Sequence, residues 1–245
     1  MRFAAKLRRA WALLDPGALA ARKGICSLCG LSIIIKLANN SISVRCSRCH
    51  ASAVHMSIVQ VLKMLVPDIA YKHVYEMSSR GPLFEFLKSR CRYLTFSEYF
   101  DDVLPGSFKD GVQCQDVHQL TYSDKCFDIC TSTEVFEHVA DDLKGFAEIH
   151  RVLRPGSLFV FTVPLSNLTT TVQRAELIDG KTRHLLPPEY HNDLIRGEEK
   201  VLVFRDHGLD IVDRLRQAGF SSARIMKVDD SEWWGLGRPV MVAGK

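Results

Sequence analysis

The stretch from Phe127 to Pro164, FDICTSTEVFEHVADDLKGFAEIHRVLRPGSLFVFTVP, has the pattern of a strand, a polar turn, a helix and a second strand. Its apolar start, Phe127 to Cys130, predicts a buried strand. Hydroxyl and carboxylate side chains follow at Thr131 to Glu134, and ligands of open α/β sheets bind at the carboxyl edge of the strands. We therefore expect one crossover unit of a parallel sheet with a ligand at its edge.

The helix in this stretch is predicted from its own signals. Apolar residues recur at helical spacing from Leu143 to Leu153, and Asp141 and Asp142 favour the positive end of a helix. Pro155 and Gly156 end it, and the apolar run from Ser157 to Val163 is short enough for a second buried strand.

The order EVFEHV, then HRVLRPGSLFVFTVP, resembles the signatures after the fourth strand and at the fifth strand of class I S-adenosylmethionine-dependent methyltransferases with a type 11-like domain. The resemblance covers most of residues 26–243. It implies an α/β, Rossmann-like seven-strand methyltransferase fold with a mostly parallel sheet, and S-adenosylmethionine as cofactor. It places Thr133 and Glu134 beside the methionyl and methyl end of the cofactor. His138 is a candidate general base or, alternatively, a residue that packs or caps the next helix.

The segment Glu76-Met-Ser-Ser-Arg-Gly-Pro82 follows the predicted first strand, Lys72 to Met77. Proteins of this family carry an acidic residue and a glycine-rich turn there. Here Ser78, Arg80 and Pro82 occupy the glycine positions and Gly81 remains. Either the serines allow close approach and Arg80 pairs with the carboxylate of the cofactor, or the site is blocked and the domain does not catalyse.

Acidic residues also follow the next two predicted strands, Tyr93 to Phe96 and Val112 to Asp116. A carboxylate after the second strand of a Rossmann-like sheet accepts hydrogen bonds from ribose hydroxyls. The resemblance assigns binding of the cofactor's adenine to the residues at the end of the third strand. The predicted cofactor-binding residues are Glu76, Ser78, Gly81, Glu98, Asp116, Val117, Thr133 and Glu134.

Two Cys-x-x-Cys pairs, Cys26 with Cys29 and Cys46 with Cys49, are separated by sixteen residues, close to the spacing of a zinc ribbon. Apolar strands broken by Asn39-Asn40 predict a hairpin that joins them. Four thiolates would fill the coordination of a structural Zn²⁺. The alternatives are four unliganded thiols, or His50 in place of Cys49. The module could cap the next domain or bind a partner.

Charge is uneven along the 245 residues, which sum to +4. Residues 1–24 carry six basic side chains and Asp15, a net +5. This leader could touch a membrane surface or nucleic acid, or be solvated. The near-neutral remainder argues against a nucleic-acid groove, and no apolar run reaches the length of a membrane span. We expect a cytoplasmic protein.

The four other cysteines are predicted to be reduced and buried.

After Pro164 the sequence is polar and irregular to about residue 200, where this superfamily often builds its acceptor pocket. The string PPEYHND resembles an EYHGDP-like segment of bacterial methyltransferases. Tyr190 and His191, with His138, are predicted as catalytic, and Arg183 and His184 as substrate-binding. Two histidines at 184 and 191 without helical spacing are weak support for a metal site.

A helix from Phe204 to Phe220 and two last strands, Ser222 to Val228 and Pro239 to Ala243, complete the pattern.

The predicted organisation is a basic leader at 1–24, a zinc ribbon at 25–51, a linking helix at 52–68 and a methyltransferase domain at 69–245, with an insertion at about 165–200. The predicted activity is methyl transfer to an O, N or C nucleophile of a small-molecule or glycan-type acceptor. The alternatives are an inactive zinc-ribbon binding module and an RNA base methyltransferase. The sequence gives no indication of the oligomeric state.

Overall fold

The computed structural model describes residues 15–192 and 200–245. The described residues form two compact units. Residues 15–69, 80–90 and 226–240 make up the first, and residues 70–79, 91–192, 200–225 and 241–245 make up the second. This division differs from the predicted one, because residues 80–90 and 226–240 belong with the ribbon. The basic residues at positions 2–9 of the predicted leader lie outside the described residues. No helix in the described ranges is long and apolar enough to cross a membrane.

The first unit contains an antiparallel sheet of β1 (Ala20–Cys26), β2 (Gly30–Lys36) and β3 (Val44–Cys46), followed by α1 (Ala53–Leu65) and, later in the chain, α2 (Pro82–Arg90). The predicted hairpin is β2 and β3. Strand β1 was not predicted, and it begins at Ala20, five residues before the predicted start of the ribbon. Part of the basic leader is therefore a strand.

Arg22 shows what a basic residue on β1 does in this unit. Its Nε donates a hydrogen bond to the carbonyl of Glu232 at 2.9 Å, and its guanidinium carbon lies 4.3 Å from the centroid of the Trp234 ring. A cation over an aromatic face contributes roughly 0.5–1 kcal/mol at an exposed site. This cation stabilises the folded unit.

The second unit is built on an eight-stranded sheet in the order β16-β17-β9-β8-β4-β5-β7-β6. Its strands are β4 (His73–Glu76), β5 (Tyr93–Glu98), β6 (Phe108–Lys109), β7 (Val112–Cys114), β8 (Phe127–Thr133), β9 (Leu153–Thr162), β16 (Ser222–Met226) and β17 (Val240–Gly244). The central pairs from β7 to β9 are parallel, whereas β6 and β17 pair antiparallel. The predicted α/β fold with a mostly parallel sheet is confirmed, with the two-residue β6 as an additional edge strand.

Helix α3 (Asp142–Val152) lies between β8 and β9 in the chain, as predicted. The Asp141 carboxylate accepts a hydrogen bond from the Lys144 backbone N–H at 3.0 Å, and so caps the helix. The helix ends at Val152, and β9 begins at the next residue, four residues before the predicted strand. Phe146 of this helix stacks on Phe136 with ring centroids 4.4 Å apart, within a core of buried aromatic side chains.

The region after β9 forms short antiparallel pairs: β10 (Val172–Gln173) with β15 (Arg205–Asp206), β11 (Ala175–Ile178) with β12 (Lys181–His184), and β13 (Tyr190–Asn192) with β14 (Lys200–Leu202). The predicted helix from Phe204 to Phe220 is wrong in its first half, since α4 spans only Ile211–Gln217. The backbone at Arg205 is extended because β15 pairs with β10, so it cannot be helical. Gly208 then lies between this strand and the helix. Tertiary pairing thus overrides the helical pattern there.

Candidate functional site

Glu76 ends β4 and is buried at the carboxyl edge of the sheet. The Thr131 hydroxyl of the neighbouring strand β8 donates a hydrogen bond to its Oε2. The pKa of Glu76 is raised to about 8, chiefly by burial; the Thr131 hydrogen bond lowers this pKa, and the nearby charge of Glu98 raises it. At neutral pH the carboxyl is therefore mostly protonated, and a cationic ligand group beside it would favour its ionised form.

Glu98 ends β5 and holds the turn that follows β4. Its Oε1 accepts hydrogen bonds from the Ser79 backbone N–H at 2.7 Å, the Ser79 hydroxyl at 2.8 Å and the Ser78 hydroxyl at 3.2 Å. Glycines at positions 78 and 79 could not supply the two hydroxyl donors. Ser78, which replaces a glycine of the family motif, and its neighbour Ser79 therefore fasten the turn to the end of β5.

Gly81 is the one glycine of this segment, and its φ is +90°. Side-chain-bearing L-residues rarely adopt that backbone conformation, so a substitution there would be strained. Gly81 belongs to the first unit, whereas the other predicted cofactor residues belong to the second.

Two hydroxyls at the ends of β8 and β9 are buried and have no hydrogen-bond partner among the described residues, Thr133 Oγ1 and Thr162 Oγ1. The two residues are opposite each other in the parallel register. A buried polar group without a partner costs roughly 1–3 kcal/mol, which a polar ligand at this edge would offset. The next residue, Glu134, has a φ of +54°, a conformation that non-glycine residues seldom adopt outside functional turns.

Asp116 lies beyond β7, beside a cavity of about 540 Å³ that His118, Asp141 and Lys144 also border. Its Oδ1 accepts hydrogen bonds from His118 Nδ1 at 2.7 Å and from the His118 backbone N–H at 2.9 Å. The Asp141 N–H donates to His118 Nε2, which assigns the proton of the neutral ring to Nδ1. The His118 hydrogen bond holds the pKa of Asp116 below its usual range despite partial burial. Val117 is half-buried and packs against the core.

Glu137, His138 and His191 form a second polar cluster, and their potential ligand atoms all lie within 4.8 Å of one another. Glu137 Oε1 is 3.7 Å from His138 Nε2 and 3.8 Å from His191 Nδ1. The two imidazoles meet edge to face with centroids 4.9 Å apart. The structure thus joins two of the three predicted catalytic residues with Glu137, whose side chain is 2% exposed.

Backbone contacts hold this cluster in place. His138 Nδ1 lies 2.8 Å from the carbonyl oxygen of Leu202, and the Phe204 N–H donates to the Glu137 carbonyl at 2.8 Å. Buried Arg205 donates to carbonyls of the same loop, including those of Phe136 at 3.3 Å and Ala140 at 2.7 Å. Asp142 lies beside both Arg205 and Arg214, with 3.6 Å to Arg205 Nε and 2.9 Å to Arg214 Nε.

The other predicted acceptor-side residues lie elsewhere on the second unit. Tyr190 is 46% exposed on β13, one residue before His191. Arg183 and His184 are exposed on β12, where Arg183 pairs with Glu176 of β11. His184 is not a member of the cluster.

Two residues extend the cluster: Glu189, which the sequence placed among the reactive side chains of the insertion without a site role, and Arg174, which sequence reasoning missed. Glu189 Oε1 is 3.6 Å from His191 Nε2, and its Oε2 is 3.1 Å from Arg174. The alternation in Glu189-Tyr-His191 was a usable signal, because residues two apart on a strand share a face. Arg174 and Arg205 had no such local signal.

The four cysteines of the ribbon converge as predicted. Sγ of Cys26 is 3.5 Å from Sγ of Cys49, and the same distance separates Cys29 and Cys46. Thiolates bound tetrahedrally to one Zn²⁺ are roughly 3.8 Å apart. The donor set and its spacing therefore fit a metal ion that four thiolates enclose.

The protonation of these thiols is uneven. Burial raises the pKa of Cys26, and it raises that of Cys29 to about 11. Burial also acts on Cys46, but the Ser32 hydroxyl and the backbone N–H groups of Cys49 and Arg48 outweigh it and lower its pKa to about 6. Cys46 is the thiol most readily ionised.

Comparison with known proteins agrees with this geometry. Residues 77–161 match the profile of a methyltransferase domain family. An uncharacterised 37.1 kDa protein in transposon Tn4556 of Streptomyces fradiae is 34% identical over 101 residues, which are 41% of this chain and 29% of that protein. The chain thus matches less than a third of the length of that curated relative.

Two solved structures share the fold. An S-adenosylmethionine-dependent methyltransferase of Mesorhizobium loti has a TM-score of 0.50 at 15% identity, over 76% of this chain and 96% of that one. DesVI of Streptomyces venezuelae has a TM-score of 0.51 at 14% identity, over 78% and 91%. The methyltransferase-domain match over residues 77–161, together with the fold shared with these two structures, supports a class I S-adenosylmethionine-dependent methyltransferase.

Proposed function

We propose that the protein transfers the methyl group of S-adenosylmethionine to a small-molecule or glycan-type acceptor that binds against Glu137, His138 and His191. The observation that carries the proposal is the place of this cluster. The turn Phe136–His138 begins three residues after β8 ends at Thr133, on the same strand edge that carries the predicted cofactor residues. A cofactor site and an acceptor site would then share one edge of the sheet.

The cofactor supplies, when bound, a methyl group made electrophilic by a sulfonium. Three carboxyl groups, those of Glu76, Glu98 and Asp116, end or follow successive parallel strands and would hold it. Glu98 also fixes the turn through Ser78 and Ser79. The predicted role of Gly81 rests on the family resemblance together with its positive φ.

The acceptor side is suited to a nucleophile that must lose a proton. A carbonyl oxygen only accepts hydrogen bonds, so the Leu202 contact places a proton on Nδ1 of His138. In the neutral imidazole Nε2 then carries a lone pair, on the side of Glu137. Such a cluster favours a hydroxyl, phenol or amine over an unactivated carbon, and the enzyme otherwise contributes alignment.

The four-cysteine cluster is proposed to hold a structural Zn²⁺. Four thiolates leave no coordination position for a substrate, so the ion would stabilise the ribbon and take no part in methyl transfer.

Calorimetric titration with S-adenosylmethionine tests the proposal. We expect the zinc-loaded wild type to bind, and Glu98→Gln and Asp116→Asn to bind at least tenfold more weakly, about 1.4 kcal/mol. Asp213→Asn is the matched control, because that carboxylate is 76% exposed and pairs with Arg216. A folded, zinc-loaded wild type that does not bind millimolar cofactor would instead support the non-catalytic binding module.

A further inference from the structure

We propose that Glu137, His138 and His191 bind a divalent transition-metal ion, separate from the ion of the ribbon. The inference rests on the proposed function, because the same cluster is the proposed acceptor site, and it specifies how that site would work. Two imidazole nitrogens and one carboxylate oxygen suit Zn²⁺ and its neighbours in the first transition series better than Mg²⁺ or Ca²⁺, which prefer oxygen ligands alone.

The two distances that join Glu137 to the histidines are close to those of a metal site, and all three ligand atoms lie within 4.8 Å of one another. Ligand atoms on a tetrahedral Zn²⁺ lie roughly 3.3–3.5 Å apart, given bond lengths of about 2.0–2.2 Å. Glu137 Oε1 is 3.7 Å from His138 Nε2 and 3.8 Å from His191 Nδ1. Side-chain shifts of a few tenths of an ångström would bring these pairs to coordination distance.

The orientation of His138 is that of a metal ligand. Its Nδ1 donates to the Leu202 carbonyl, so the neutral ring directs a lone pair from Nε2 to the side where the Glu137 carboxylate lies. Metal-bound histidines almost always make such a second hydrogen bond, which fixes the tautomer and the ring orientation. A lone pair and a carboxylate repel each other unless a proton or a cation lies between them.

His191 has a carboxylate at ion-pair distance on its other side, a longer contact than the hydrogen bond of His138. Its Nε2 is 3.6 Å from Glu189 Oε1, and Glu189 is in turn held by Arg174 at 3.1 Å. A carboxylate behind a histidine is the other common outer partner of a ligand imidazole, and it increases the basicity of the ring. The ring of His138 is therefore held by a hydrogen bond, and each histidine has one nitrogen within 3.8 Å of Glu137.

Three protein ligands leave at least one coordination position open, as in catalytic metal sites. His191 is 36% exposed, so the open side is accessible to a molecule from solvent. The acceptor class that follows is an oxygen nucleophile, a hydroxyl or phenol whose oxygen can bind the ion. The alternative is a cluster without a metal, in which Glu137 forms an ion pair with one protonated histidine. The two models differ in the number of metal ions bound per chain.

Zinc stoichiometry distinguishes them. The full chain is dialysed to equilibrium against buffered Zn²⁺, and bound zinc is measured by elemental analysis. We expect two ions per chain for the wild type, one for His191→Ala and one for Glu137→Gln. His184→Ala should retain two, and it is the matched control because His184 is an exposed histidine outside the cluster.

Circular dichroism identifies any variant that fails to fold. If the buried substitution Glu137→Gln prevents folding, His191→Ala still tests the proposal, because His191 is at a half-exposed position of a strand. One ion in the folded wild type, or two in folded His191→Ala, would overturn the proposal. Cofactor titration of the same samples separates the two proposals. Cofactor binding without a second zinc refutes only the metal site, and a second zinc without cofactor binding refutes only methyl transfer.

Discussion

The four-cysteine cluster and the Glu137–His138–His191 cluster are both groups of potential metal ligands, but the chain builds them differently. The cysteines come from two Cys-x-x-Cys turns in one small sheet. In the other cluster, two ligands are adjacent in the sequence and the third lies 53 residues later, on β13. Local spacing determines the first cluster, whereas the second requires the insertion to return to the end of β8.

This difference corresponds to a difference in chemistry. Four thiolates enclose an ion and exchange nothing with solvent, so the first cluster suits a structural role. Two imidazoles and a carboxylate leave an open position near exposed side chains, so the second suits a ligand that comes and goes.

Cys46→Ala should have the largest effect. Structural zinc sites contribute directly to folding, with apparent binding free energies on the order of 10 kcal/mol in small zinc domains. We expect one zinc fewer per chain and unfolding of the sheet β1–β3, detected by elemental analysis and by hydrogen exchange of its amides. Cys91→Ala, at a half-buried cysteine outside the cluster, is the control. Full zinc content in folded Cys46→Ala would refute the ribbon assignment.

Arg205→Met should rank second, because it removes support from the loop that carries Glu137 and His138. The guanidinium is buried, donates to loop carbonyls and lies 3.6 Å from Asp142. Removing one partner from a buried ion pair costs about 3–5 kcal/mol. Urea unfolding should show this loss, and the second zinc should be lost with it. Arg216→Met, in an exposed pair with Asp213, should cost at most about 1 kcal/mol. Equal costs for the two variants would contradict the supporting role of Arg205.

The sequence was sufficient where a short pattern determines the structure. The alternation of strand and helix from Phe127 to Pro164 predicted β8, α3 and β9, and the apolar strands broken at Asn39-Asn40 predicted the hairpin β2–β3. Acidic residues at strand ends were located because parallel strands end at one edge. In each case the interaction is between residues close in sequence or is imposed by the sheet.

The sequence was insufficient where distant segments meet. Nothing around Arg205 indicates that its guanidinium caps the carbonyls of residues 136–140, and the local pattern there predicted a helix. Ser78 appeared to weaken a glycine motif, and only the contacts of Ser78 and Ser79 with Glu98 show that the serines hold the turn. Glu137 was not among the predicted site residues, because its partner His191 lies on a strand of the insertion, where the sequence shows no strand pattern.

Glu76→Gln tests a buried carboxyl that has a hydroxyl partner, in contrast with Glu137 beside two imidazoles. The pKa of Glu76 is about 8 in the fold, against 4.5 for an ordinary glutamate, so the folded state holds the proton across that interval. Its contribution to stability is complete below about pH 4.5 and declines as the pH rises to 8. Between pH 5 and 8 the free energy of unfolding of the wild type should therefore fall relative to that of Glu76→Gln, by on the order of 1–3 kcal/mol.

Chemical denaturation at several pH values measures this difference. Glu85→Gln, at an exposed position of α2, controls for the amide substitution itself. A constant difference between Glu76→Gln and wild type across the pH range would show that the carboxyl is ionised in the fold.

Arg183→Ala should have the smallest effect. Its guanidinium is 62% exposed and pairs across β11 and β12 with Glu176, and exposed pairs of this kind contribute about 0–1 kcal/mol. We expect unchanged zinc stoichiometry, unchanged cofactor affinity and a stability within about 0.5 kcal/mol of wild type. The informative measurement is competition by acceptor analogues for the second zinc. If Arg183→Ala weakens an anionic analogue while sparing a neutral one, the exposed hairpin belongs to the acceptor site. If it weakens neither, the acceptor contacts lie around Glu137, His138 and His191, and the contrast between the closed and the open cluster holds without the hairpin.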